Sequence, residues 1–365
     1  MDCTQEHVAT LHDYGEAAPD APVERAAVVV PMLAQDRGQA APARVLESLA
    51  AAGPGRLLVA LSAAPEEVGP ALAWLDGLDC DPDVLWCDGP RVTDLLGERG
   101  IDGPSGKGRD LWLAVGVAAE RDYVLLHDAD VRTVQPRDAR KLIYPLTADF
   151  DFAKAYYART EDGRLYGRLC RLFYDPLVET LLEANDEPLL DYLDAFRYGL
   201  AGECAMTTAV ARRLRPYPGW GFEVGALGDA YAVAGAERSA QVDLGRYAHD
   251  HRAVEGAGGL STTAAGVANA LFQLLSVHGV DPDFDDLAAR YRERARAYVR
   301  RYEADAGLND FDYDAADERS QVATYARAIE PPGPDERLPA WDATRLDPDE
   351  VWRAARNDRR DAREA

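Results

Sequence analysis

Lysine is almost absent from this chain: of its 40 basic residues only Lys107, Lys141 and Lys154 are lysines. Against them stand 64 acidic residues, and the net charge is −24. No basic stripe exists to replace counterions along a phosphate backbone, which excludes nucleic acid as a ligand. No apolar run approaches the ~20 residues of a membrane span, so no membrane segment is expected. The five cysteines (Cys3, Cys80, Cys87, Cys170, Cys204) are odd in number and contain no C-x-x-C pair. That usage argues against a disulfide framework or a zinc cluster and for a reducing compartment. The opening MDCTQEHVATLHDYGEAAPD lacks the basic-then-apolar order of a signal peptide, and a cytoplasmic location is expected. An acid-rich, lysine-poor surface keeps its hydration and self-repulsion in high salt, which fits a saline cytoplasm; a basic partner fits the same acidity.

What is present is an ordinary globular composition, 47% hydrophobic and 28% charged over 365 residues. That length allows two core-forming units, or one large α/β domain with an appendage. After a polar stretch at 1–24, residues 26–33 (AAVVVPML) form a continuous apolar run of the kind buried on both faces of a parallel sheet. A helix is expected over 44–53, a strand over 56–61, a helix over 66–78 and a short strand over 84–87. An amphipathic helix over 107–120 and a strand over 123–127 follow. This alternation predicts a doubly wound, mostly parallel α/β sheet flanked by helices. Beyond residue 150 the pattern predicts a strand over 152–159, helices over 174–185, 203–215 and 222–234, and a strand over 239–244. Residues 254–304 read as helical, and the Pro- and charge-rich stretch from 331 as a loosely ordered tail.

Asp-x-Asp occurs nine times, as an acidic chain allows. Most copies, such as those in 79–83, 281–285 and 347–349, lie in Pro- or Asp-rich turns. Asp128-Ala129-Asp130 alone closes a buried-type strand, YVLLH, where ligand crevices of open α/β sheets lie. Two carboxylates there can hold a hard divalent cation that shares its oxygen ligands with phosphates, or serve only as a strand-end cap. Ser105-Gly106-Lys107-Gly108 precedes a helix, where backbone N–H groups and a lysine charge suit an anion. It lacks P-loop spacing, and an ordinary turn satisfies the same residues. Segment 246–252 (RYAHDHR) holds two of the six histidines, as metal ligands or as a polar loop. In 219–223 (GWGFE) an aromatic ring and a carboxylate suit a sugar, though a helix N-terminus also favours Glu223.

Taken in this order, the segments VVVP (28–31), GKGRDLW (106–112), the strand with DAD (123–130), GRLCRL (167–172), AGECA (201–205), GWGFEVG (219–225) and QVDLGRYAHDHR (241–252) resemble the glucosyl-3-phosphoglycerate synthase family. Members of that family are nucleotide-sugar glycosyltransferases of the GT-A fold, and the resemblance spans roughly residues 25–255. It implies a 25–150 nucleotide-sugar-binding half and a 151–253 acceptor-binding half; the pattern and composition beyond add a 254–330 C-terminal helical region and a 331–365 acidic, Pro-rich tail. It also implies that Pro31, Leu33, Ser62, Lys107, Trp220 and Arg252 bind the nucleotide sugar. Asp128 faces the donor's ribose and sugar, and Glu223 orients the transferred sugar, these two being the catalytic pair. Asp130 and His249 hold Mg2+ or Mn2+, and Gly167, Arg168 and Cys170 bind the acceptor. Cys170 stands where the family has threonine, Tyr247 where it has arginine, and MLAQD follows Pro31 where it has an Asn or Asp followed by paired acids.

The reading these residues support is a metal-dependent, retaining transfer of a hexose from UDP-glucose or a GDP-mannose-type donor to a small anionic acceptor. 3-Phosphoglycerate or glycerate is the expected acceptor, and a homodimer the expected assembly. The alternatives are a transferase acting on a lipid phosphate or glycan, and a nucleotide-binding protein impaired in catalysis. Metal-dependent nucleotide binding without donor turnover distinguishes the last of these.

Overall fold

The computed structural model describes residues 7–101, 103, 105–249 and 260–364. Nine strands form one sheet: β1 (Ala9–Leu11), β2 (Ala26–Leu33), β3 (Arg56–Ser62), β4 (Asp83–Trp86), β5 (Tyr123–Leu126), β6 (Phe152–Glu161), β7 (Arg164–Leu165), β8 (Cys204–Thr207) and β9 (Ser239–Tyr247). Their order is β1-β9-β6-β8-β5-β2-β3-β4, with β7 hairpinned onto β6. All neighbours on the main path run parallel except at β8, which is antiparallel to both β5 and β6.

Strand β2 explains the two-layered core. Ala27 and Val29 face one apolar cluster, while Ala26, Val28, Val30 and Met32 face the other. Both sets are almost wholly removed from solvent, as an uninterrupted β-branched run requires when helices cover both faces. The C-terminal helices Leu260–Val277 and Phe284–Leu308 belong to the first cluster, with Leu271, Leu275, Tyr291 and Val299 packed into it. None of the described helices is long and apolar enough to cross a membrane.

Three expectations change. Residues 203–215 are not one helix: Cys204–Thr207 is β8, and only Thr208–Ala211 is helical. Between β5 and β6 the segment satisfies two ladders and buries Cys204, Ala205 and Met206, which outweighs the helix propensity of Ala and Met. The 1–24 stretch is not merely polar, because β1 extends the sheet edge beside β9.

The tail from 331 is ordered. Trp341 donates from Nε1 to Trp112 O at 2.7 Å, and Trp112 returns a bond to Pro339 O at 2.9 Å. Helix Pro348–Glu364 buries Val351, Ala355 and Asp358 along one face. There Asp358 accepts from the backbone N–H of Arg91 (3.0 Å) and Val92 (3.2 Å), capping helix Pro90–Glu98 from 266 residues away.

Candidate functional site

The carboxyl ends of β2, β3 and β5 open into a cleft of about 1200 Å3. Pro31 and Leu33 close β2 at its wall, Ser62 closes β3, and Asp128 and Asp130 follow β5. Helix Lys107–Ala118 brings Lys107 to the same cleft. Its start is pressed against the 217–219 loop: Arg109 N donates to Pro218 O at 3.0 Å, and a Cβ on Gly108 would collide with Tyr217 O. That close approach seats helix Phe222–Ala234, with Glu223 in its first turn, beside Lys107.

One ammonium therefore serves two carboxylates. Lys107 Nζ lies 2.8 Å from Asp128 Oδ1 and 2.8 Å from Glu223 Oε1. Burial pushes the Asp128 carboxyl up, but the Lys107 charge and hydrogen bond outweigh it and hold the group below the ordinary range. Burial likewise works against the Lys107 charge, and Asp128 and Glu223 together hold its pKa above the ordinary range. Gly202 backs Asp128 so closely that a Cβ there would strike the carboxylate. Behind the strand, His127 Nδ1 donates to the Asp128 carbonyl at 2.7 Å, which fixes the turn into the triplet.

His249 reaches Asp130 through backbone pairing. Val131 and His249 form an antiparallel bridge, and Arg132 N donates to Ala248 O at 2.7 Å. The imidazole is 5% exposed, with the Tyr157 ring centroid at 5.7 Å and that of Tyr247 at 6.0 Å. Burial, then the nearby Arg159 charge, pushes its pKa down to about 3, so the ring is neutral at physiological pH. Its Nδ1 is buried with no hydrogen-bond partner among the described residues. A neutral imidazole with such a nitrogen, one bridge away from Asp130, fits a divalent cation. No group of three or more His, Cys, Asp or Glu suited to a metal occurs among the described residues. A cation held by Asp130 and His249 would take its remaining ligands from ligand oxygens and water, as hard cations at phosphates accept.

Across the cleft, Gly167 turns with φ +73° and packs against Tyr198, and Arg168 follows it. Arg168 Nη2 pairs with Asp317 Oδ2 at 2.7 Å, and its Nε lies 3.5 Å from Glu318 Oε1. Cys170 borders the cleft, but its thiol donates to Asp175 Oδ1 at 3.2 Å and burial pushes its pKa well up. Burial and the hydrogen bond to Asp175 favour the neutral thiol at this position. Trp220 lies on the cleft wall, and Arg252 lies outside the described residues.

Several cleft residues escape sequence reasoning. Asp312 and Asp314 form another of the nine Asp-x-Asp copies, and the helix Ala315–Tyr325 carries Asp317 and Glu318 to the Arg168 end of the cleft. Arg159, near the end of β6, lines the cleft beside Asp130. Only the sheet register reveals it, because nothing in the local run YYART marks Arg159.

A mostly parallel sheet with paired acids and a histidine at its carboxyl ends defines a nucleotide-sugar glycosyltransferase of the GT-A class. No protein-family model matches the chain. It is 31% identical over 371 aligned positions to glucosyl-3-phosphoglycerate synthase of Methanococcoides burtonii, covering 92% of this chain and 90% of that one. It is 34% identical over 263 positions to the synthase of Persephonella marina, covering 67% and 65%. Among solved structures it is similar to the Mycobacterium tuberculosis synthase in complex with Mn2+, UDP-glucose and phosphoglyceric acid. That likeness has a TM-score of 0.57 at 25% identity and covers 76% of this chain and 89% of that one. The same enzyme with Mg2+ and UDP gives a TM-score of 0.56 at 26% identity, covering 76% and 88%. The chain belongs to the glucosyl-3-phosphoglycerate synthase family.

Proposed function

We propose that this glycosyltransferase moves glucose from UDP-glucose to 3-phosphoglycerate or a closely similar small anionic acceptor, using Mg2+ or Mn2+. The observation that carries this reading is the Lys107 bridge between Asp128 and Glu223, at the same strand end as Asp130 and the Val131–His249 bridge. Asp130 and His249 would hold the cation, whose chemistry is Lewis-acid neutralisation of charge developing on the departing diphosphate.

The protein's own groups do the rest. Pro31, Leu33 and Ser62 receive the nucleoside, and Trp220 offers a flat ring to the donor. Lys107 fixes the carboxylates of Asp128 and Glu223, so each meets a sugar hydroxyl as a charged acceptor. Gly167 and Arg168 receive the acceptor's anionic group, and Cys170 contributes shape rather than charge. Among the described residues no cleft side chain is placed as an activated nucleophile, which supports a same-face, retaining transfer in which the leaving phosphate takes the acceptor's hydroxyl proton. A cytoplasmic site agrees with Cys80, Cys87, Cys170 and Cys204 all being free thiols. The homodimer belongs to the same reading, and light scattering at several protein concentrations tests it.

A screen of UDP-glucose and GDP-sugars against 3-phosphoglycerate, glycerate and glycerol 3-phosphate, with and without EDTA, tests the assignment. Metal-dependent product with a phosphoglycerate acceptor is expected, its α-anomeric linkage read by NMR. Asp130→Ala abolishes it while thermal unfolding stays cooperative. Full turnover in EDTA, or near-normal Asp130→Ala activity, overturns the reading.

A further inference from the structure

We infer that Arg159 is a further binding residue for the donor's diphosphate, one that the sequence motifs do not mark. Three arginines line the described cleft: Arg159, Arg164 and Arg168. Arg164 lies 3.6 Å from Asp312, and Arg168 is paired with Asp317 and Glu318. Their charges are already answered within the protein. Arg159 differs, since among the described residues it forms no ion pair, and its polar side-chain partner is the Tyr198 hydroxyl.

Its position identifies the missing anion. Arg159 stands opposite Tyr247 in the β6–β9 register, two residues before His249. It lines the cleft together with Asp130, and its charge is felt at both Asp130 and His249. Tyr198, which lines the same cleft, holds it and itself rests on Tyr157 with ring centroids 4.8 Å apart. Burial works against the Arg159 charge, and Asp130, the carboxylate that favours it, would be shared with the cation, so a ligand anion supplies further counter-charge. Guanidinium geometry matches phosphate oxygens in a fork, and its five N–H donors leave several free after Tyr198. Because charge grows on the leaving diphosphate during transfer, the contact strengthens toward the transition state and contributes to kcat as well as to binding. This inference rests on the proposed reading of Asp130 and His249 as the diphosphate's cation site.

Calorimetric titration of UDP and of UMP, each with Mn2+, into wild type, Arg159→Met and Arg159→Lys separates the possibilities. UDP affinity is expected to fall about 10- to 100-fold in Arg159→Met, the scale of a charge-assisted hydrogen bond. UMP affinity should change less than about threefold, and Arg159→Lys, which keeps the charge but not the fork, should recover part of the loss. The folded state of each variant is checked by its thermal midpoint; if Arg159→Met does not fold, Arg159→Lys against wild type gives the same comparison. Unchanged UDP binding with a raised acceptor KM overturns the inference and moves Arg159 to the acceptor. Equal losses for UMP and UDP also overturn it. Wild type that binds no nucleoside diphosphate with Mn2+ overturns the underlying reading instead.

Discussion

Lys107 Nζ stands 2.8 Å from Glu223 Oε1, joining the first turns of two helices that lie 116 residues apart. With Asp128 on the same ammonium, the lysine is the shared counter-ion of two carboxylates. All three side chains are about a quarter exposed or less, so removing the cation leaves two carboxylates poorly solvated. Lys107→Met is expected to lower kcat/KM at least ~100-fold and stability by about 1–3 kcal/mol, below the full cost of breaking a buried pair. Steady-state kinetics and urea unfolding check both. Unchanged stability would show that the pair is solvated in solution.

Gly202→Ala tests whether Asp128 must hold its present place. An added Cβ collides with the Asp128 carboxylate, a short side chain already fixed by Lys107. The acid must then turn away from the ammonium. We expect kcat to fall ~10- to 100-fold, with UDP affinity reduced much less, because a displaced catalytic group costs rate before binding. Kinetics in parallel with UDP titration decides this, and wild-type kcat in Gly202→Ala removes Asp128 from its catalytic role.

The parts of this site that a linear reading reaches are those made of neighbours in sequence. Strand β5 and Asp128–Asp130 are legible because an apolar run ends abruptly in acids, and Lys107 because glycines precede a helix, although that helix is buried from Gly108 to Ala118 and not amphipathic as its sequence predicts. Strand β8 is not, since its reason for being extended is the two ladders offered by β5 and β6. Helices Pro90–Glu98, Pro136–Ile143 and Pro188–Asp194 are absent from the sequence-based expectations; each is short and opens on a proline seated in its first turn. Arg159 and Asp317 escape for a different reason. Their meaning lies in which charges face them, and that is set by register and by helices more than a hundred residues away.

Asp317 makes the acceptor end adjustable. Its carboxylate is half exposed and pairs with Arg168, whereas Glu318 is buried and already holds Arg171 bidentately. On the proposed reading of Arg168, Asp317 is the counter-ion that an incoming acceptor phosphate displaces. Asp317→Asn should lower the KM for 3-phosphoglycerate about 2- to 5-fold, the scale of an exposed pair, with kcat nearly unchanged. Glycerate, which lacks the phosphate, should respond less. A raised KM would show instead that Asp317 orients Arg168.

Trp341 anchors the C-terminal strap. Its ring is 6% exposed, sits 5.0 Å from that of Trp112, and occupies the space beside Gly116. Trp341→Ala is expected to cost about 3–5 kcal/mol, the usual loss for a large buried aromatic. Gly116→Ala should disturb the same contact by overpacking and cost about 1–3 kcal/mol. Both are read from urea midpoints, and a Trp341→Ala midpoint equal to wild type would mean the strap is not docked in solution.

Stability should fall as pH rises from 5 to 8, and Asp175 carries part of that slope. Burial pushes its carboxyl up to about 8, against the hydrogen bond donated by Cys170. Burial also raises Asp110 to about 7 and Asp229 to about 6. In the unfolded chain such carboxyls ionise near about 3.9. Between those values the folded chain binds more protons than the unfolded one, so the stabilisation is complete below about pH 4 and is lost as pH climbs through the folded pKa values. Urea midpoints at pH 5, 6.5 and 8 in about 1 M salt, where general repulsion from the net charge of −24 is screened, measure the slope. Asp175→Asn keeps the shape, cannot ionise, and should flatten it. A slope identical to wild type would mean that Asp175 is ionised in the native protein, and the Cys170 thiol would then be donating to a carboxylate rather than to an acid.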